Sequence, residues 1–95
     1  TLQADWLKKN ISQNEIIYSN DPRRIYLLTG IKGVSNYNIE SQILLEQEIY
    51  SLKATYVLIE DYNSPQKEIL KAVAEKKFEK VFFIDNSETA IYKVS

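Results

Sequence analysis

At 95 residues the chain has room for one modest core, hiding about 60–65% of the surface its unfolded form exposes. Twelve basic against thirteen acidic residues leave a net charge of -1, which disfavours both a dedicated nucleic-acid binder and a polybasic membrane-surface patch. With no cysteine and no histidine, the chain has no means for disulfides, thiol nucleophiles, imidazole acid–base chemistry or the usual zinc sites.

The first segment, Leu2 to Lys9, has helical composition, with Trp6 and Leu7 as its buried face. Asn10 and the polar run Ser12-Gln13-Asn14 end it. Ile16-Ile17-Tyr18 is a compact β-prone block and the first expected strand. Asp21-Pro22 then starts a helix: the aspartate accepts from free backbone N–H groups, and proline at the first helical position has no needed N–H to lose. Ile25 and Leu28 share one face of that helix with Leu27 beside them, and Gly30 suits the left-handed residue that closes it. Ile31 to Asn38 reads as a loop with room for a short edge strand around Val34.

A longer helix is expected from about Glu40 to Lys53, with Leu45, Ile49 and Leu52 on one stripe. Ala54 to Ile59 is a continuous apolar run, as in parallel strands covered on both faces. Glu60 to Asn63 forms the loop after it. Ser64-Pro65 repeats the cap-then-proline start of a helix running to about Lys77, with Ile69, Leu70, Val73 and Ala74 inward. Lys80 to Ile84 is a further strand. Asp85-Asn86-Ser87-Glu88 turns the chain back into Thr89 to Val94, an antiparallel partner with one face partly wet. Alternating strands and helices with short links predict a single soluble α/β domain over 1–95. Its architecture is a three-layer sandwich around a mixed, mostly parallel sheet of four or five strands, ending in an antiparallel hairpin.

Polar groups collect after three strands: Asn20 and Asp21, Glu60 and Asp61, Asp85 and Asn86. Ligands of open α/β sheets sit outside the carboxyl ends of parallel strands, so Asp21, Glu60, Asp61 and Asp85 are the candidate binding groups. They read either as oxygen ligands for a divalent cation or as helix caps and turn formers, and their residue types and spacing favour the second. Arg23, beside Arg24, is a candidate for an anionic lipid phosphate or an acidic sugar, against the plainer reading of a solvated face. Tyr37 and Tyr62 fall in loops, free to stack on a ligand. Gly30-Ile31-Lys32-Gly33 matches the loop by which KH domains grip a nucleic-acid backbone, but that loop joins two helices, and helix closure by glycine explains it better. No glycine-rich phosphate loop is present. A glycosidase-like pair of Glu60 or Asp61 with Asp85 is allowed by spacing, in a chain with little room for a substrate cleft.

No run nears the roughly 20 apolar residues that span a bilayer, and no signal peptide is visible. Methionine is absent, position 1 included, and the expectation is a fragment of a longer protein. A tryptophan-containing helix, then Ile16-Ile17-Tyr18-Ser19-Asn20-Asp21-Pro22, then Ile25-Tyr26-Leu27-Leu28-Thr29-Gly30, resembles the C-terminal region of bacterial dolichyl-phosphate-mannose-protein mannosyltransferase-like proteins. The Tyr56-Val57-Leu58-Ile59 strand and the hairpin from Phe82-Phe83-Ile84 to Ala90-Ile91-Tyr92-Lys93-Val94 are similar to that tail as well. The resemblance implies a polytopic membrane parent that takes sugar from a polyprenyl-phosphate carrier, with its catalytic acid outside these residues. It implies a non-catalytic domain on the extracytoplasmic face of the inner membrane, without cofactor or metal. Its partners would be the membrane-embedded portion of its own chain and a glycan or acceptor substrate. The alternative is a small α/β ligand-binding or regulatory module that uses the acidic strand ends.

Overall fold

The computed structural model describes residues 1–35, 38–64 and 66–95; Tyr37 and Pro65, singled out above, lie outside the described residues. The chain runs α1 (Leu2–Asn10), β1 (Ile16–Ser19), α2 (Pro22–Thr29), β2 (Lys32–Val34), α3 (Gln42–Ser51), β3 (Tyr56–Ile59), α4 (Lys67–Lys77), β4 (Glu79–Phe83) and β5 (Ala90–Lys93). The five strands form one sheet in the order β2-β1-β3-β5-β4. β1 pairs in parallel with β2 and β3, whereas β5 is antiparallel to both β3 and β4. Four strands therefore share one direction, and the last strand is inserted among them.

Alternation along the strands sorts the core into two layers. Tyr18, Val57, Ile59, Ala90 and Tyr92 pack with Leu45 and Ile49 of α3 and with Leu70, Val73 and Ala74 of α4. Ile17, Leu58 and Ile91, their immediate neighbours in sequence, pack on the other side with Leu7 of α1 and Ile25 of α2. Successive residues of a strand point to opposite faces, so each strand supplies both layers. The handedness rule accounts for the helix placement: β1 connects outward to β2 and β3 connects the opposite way to β4, so α2 and α4 cover opposite faces.

The helix ends show why these segments fold where they do. Thr1 accepts from the Ala4 N–H at 3.2 Å, Asp21 from the Arg24 N–H at 3.4 Å, and Ser41 from the Leu44 N–H at 3.4 Å. Pro22 opens α2, and Gly30 closes it at φ 75 with its N–H donating to Tyr26. Gly33 answers a different demand. A Cβ there would sit 2.7 Å from the Pro22 Cα, so only glycine lets β2 pass under the start of α2. The Gly30–Gly33 segment thus joins a helix to a strand, and not two helices.

Five expectations change. The final strand is wet only at its end: Ala90, Ile91 and Tyr92 are buried because β5 is paired on both edges and roofed on both faces, and Lys93 alone of β5 is exposed. On α2 the inward pair is Ile25 and Thr29, four residues apart, while Leu27 and Leu28 face out. Thr29 can lie inside because its hydroxyl donates to the Ile25 carbonyl at 2.7 Å and accepts from the Ile31 N–H at 3.0 Å. Leu52 falls at the end of α3 and is exposed, leaving Leu45 and Ile49 as the stripe. Finally, Gln66 and not Ser64 takes the cap position of α4, and it makes no side-chain cap bond. The face of α1 is carried by Ala4 and Leu7, with Trp6 half-buried and set edge-on to Tyr56 at 5.9 Å.

Candidate functional site

The chain reverses its direction of travel between β1 and β3, and the carboxyl ends of those two strands define the crevice where an open α/β sheet would hold a ligand. Asn20 and Glu60 meet there. Ser19 is the last position of β1 in register with β3, so Asn20 follows directly on the ladder. Its Oδ1 accepts from the Glu60 N–H at 2.7 Å, and its Nδ2 donates to the Glu60 carbonyl at 3.1 Å and to Ser64 Oγ at 3.2 Å. The amide side chain thus continues the β1–β3 pairing beyond the last paired backbone.

Glu60 points into this joint with only 3% of its surface exposed. Its carboxylate accepts from Gln3 Nε2 at 3.2 and 3.3 Å, and forms an ion pair with Arg24 Nη1. A buried carboxylate must be paired to stay ionised, and this one has both a cation and a neutral donor. Asp21 lies on the same rim. It caps α2, and burial together with the Asp21 carboxylate pushes the Tyr62 phenol above its ordinary range. Tyr62 stands in the loop after β3, 39% exposed.

Asp61 belongs to a second cluster. Its Oδ2 accepts from Ser87 Oγ at 2.9 Å and from the Glu88 N–H at 3.1 Å, and its own N–H donates to Thr89 Oγ1 at 3.2 Å. These bonds pin the loop after β3 to the β4–β5 turn. Beside them Glu88 bridges Lys67 Nζ at 2.8 Å and Lys71 Nζ at 2.7 Å. The hydrogen bonds from Lys67 and Lys71 pull the Glu88 carboxyl down to about 2, and the same contacts raise both lysines. That pairing lets Lys67 sit buried at the start of α4.

Of the candidate binding residues, the fold brings Asp21 and Glu60 together, sends Asp61 to the turn cluster, and leaves Asp85 on the exposed turn 85–88. Arg23 is turned away from all of them and lines a groove with Tyr26, Leu27 and Lys32. Among the described residues no three acidic side chains are grouped to hold a metal ion. The cation of the crevice is Arg24. At 100° per residue, Arg24 stands one step round the helix from the buried Ile25 and Arg23 two, so helical geometry distinguishes them. Gln3, Lys67 and Glu88 were not legible in this way, because their partners lie 57, 21 and 17 residues away along the chain.

No family model, curated protein or solved structure matches this chain. What the arrangement can do chemically follows from the geometry alone. Glu60 is sealed and charge-paired, and Asp21 and Asp61 are committed to a cap and a turn. A substrate at the β1–β3 crevice would have to compete with these bonds.

Proposed function

We propose that this chain is a non-catalytic extracytoplasmic module of a polytopic membrane glycosyltransferase that uses a polyprenyl-phosphate-linked sugar donor. The observation that carries the reading is the burial of the Glu60 carboxylate against Arg24. A general acid or base must reach its substrate within hydrogen-bond distance, and a carboxylate 3% exposed against an arginine does not. The resemblance of residues 16–30 and of the closing strands supplies the enzyme class, and it places no catalytic group in these residues. In this role the domain packs against the membrane-embedded portion of its parent and shapes the approach of an acceptor. The competing reading, a ligand-binding module built on the acidic strand ends, would have to break the bonds of Glu60 and Asp61, or rest on Asp85 of the exposed turn.

The test is transfer by the purified chain, supplied with a polyprenyl-phosphate-linked sugar and an acceptor. The expected result is no product, and any turnover by these residues alone overturns the proposal. Calorimetric titration with divalent cations, nucleotides and free sugars separates the alternative: heat of binding at micromolar strength, abolished by Asp61→Asn or Asp85→Asn, would establish the ligand-binding module instead.

A further inference from the structure

The outer side of α2 carries apolar groups that the fold does not use. Leu27 is 79% exposed and Tyr26 61%, although both stand on a helix whose other face is fully packed. With Pro22, Arg23, Lys32 and Gly33 they line an open groove of about 340 Å³ between α2 and the edge strand β2. Two of those six residues are cations and none is acidic. Neither Arg23 nor Lys32 has an ion-pair partner among the described residues, whereas Arg24, the next residue, is committed to Glu60.

From this we infer that the α2–β2 face docks on an anionic membrane surface, with Leu27 and Tyr26 entering the headgroup layer and Arg23 and Lys32 meeting lipid phosphates. The inference rests on the preceding reading for the bilayer being within reach. The net charge of -1 rules out a polybasic sheet, but this contact needs only local charge. An aliphatic side chain beside an amphipathic tyrosine, flanked by cations whose stems can lie along the interface, is the composition that partitions there. Charge also argues against the other simple occupant. A two-fold dimer through this face would bring four cations into one interface, two Arg23 and two Lys32, with no acidic residue of the groove lining to offset them. The groove between α3 and α4 provides an internal contrast: Ile43 is exposed there too, but Glu46 stands among Lys76 and Lys77, so the acid offsets one of the two cations and the lining attracts anions less than the α2–β2 groove.

The experiment is co-sedimentation of the 95-residue chain with vesicles of phosphatidylcholine alone or enriched in phosphatidylglycerol. Binding should be roughly tenfold stronger to the anionic vesicles at physiological salt and should fall toward the neutral level in the double variant Arg23→Gln, Lys32→Gln. Leu27→Asp should abolish it, while Ile43→Asp on the opposite helix layer should leave it intact. Circular dichroism of each variant confirms that the exposed substitutions leave the fold in place. Equal binding to both vesicle types overturns the inference, and so does an equal loss with Ile43→Asp. A concentration-dependent dimer abolished by Leu27→Asp would also overturn it, by assigning the face to a second copy. Failure of the parent to transfer sugar would remove the glycosyltransferase reading while the vesicle result continued to decide this one.

Discussion

The crevice between β1 and β3 and the outer face of α2 are opposites built within a few residues of each other. In the crevice, the buried polar groups Asn20, Glu60 and Gln3 satisfy one another, with Arg24 pairing Glu60 from the rim. On α2, Leu27 and Tyr26 are apolar and Arg23 is charged, yet all three are left to the outside. The position where α/β sheets usually hold ligands is thus closed by the chain itself, and the unspent interaction capacity lies on a helix surface. Polar residues at a strand end are a poor guide to a site until their partners are counted. Exposed leucine with unpaired cations is the more informative signal.

Asn20→Ala should have the largest effect on stability. It strands the buried N–H of Glu60, whose carbonyl keeps the Tyr62 N–H at 3.0 Å, and it removes the bonds to that carbonyl and to Ser64, at a cost of about 2–4 kcal/mol. Thermal unfolding should then shift down by roughly 10–25 °C for a domain of this size. A shift of only a few degrees would show that the crevice is wetter than described and would narrow the contrast with α2.

The adjacent arginines sharpen the same comparison. Arg24→Ala should destabilise by about 1–3 kcal/mol, less than for a fully buried pair because the Arg24 side chain is 37% exposed. Arg23→Ala should change stability by less than about 0.5 kcal/mol in urea denaturation. Equal effects from the two would erase the distinction between a sealed and an open region.

Strong acid should weaken the turn cluster. The Glu88 carboxyl is held at about 2 in the folded chain against 4.5 for the free group, so its contribution is fully present above pH 4.5 and is lost as pH falls toward 2. The gap in melting temperature between the native chain and Glu88→Gln should therefore close between pH 5 and about pH 2. A gap that persists at the acid end would mean that Glu88 acts through packing and not through Lys67 and Lys71.

Much of this architecture can be read from local chemistry. Asp21-Pro22 and Gly30 bracket α2 because a side-chain acceptor, a fixed φ and a left-handed residue are local requirements. The apolar blocks at 16–18, 56–59 and 81–83 announce strands for the same reason. The insertion of β5 between β3 and β4 is not local. A hairpin turn specifies that β5 pairs with β4 and is silent about its other edge, and only the unbroken burial of Ala90, Ile91 and Tyr92 hints at a central place. Thr29 takes an inward position expected of leucine because its hydroxyl finds two backbone partners, which composition does not reveal. At the candidate site, the residue types at the strand ends were legible, while their partners were not. The Gln3–Glu60 contact spans 57 residues, and nothing near either residue encodes the other.

The central claim is that the polar joint at the sheet's carboxyl edge is a structural seal without catalytic duty. It is tested most directly by Glu60→Gln in the membrane glycosyltransferase proposed as the parent, with sugar transfer and thermal unfolding measured on the same preparation. The account predicts a lowered melting temperature with turnover per folded molecule within about threefold of the native chain. A fall of about 100-fold or more at unchanged stability, the size expected when a catalytic carboxyl is removed, would contradict it.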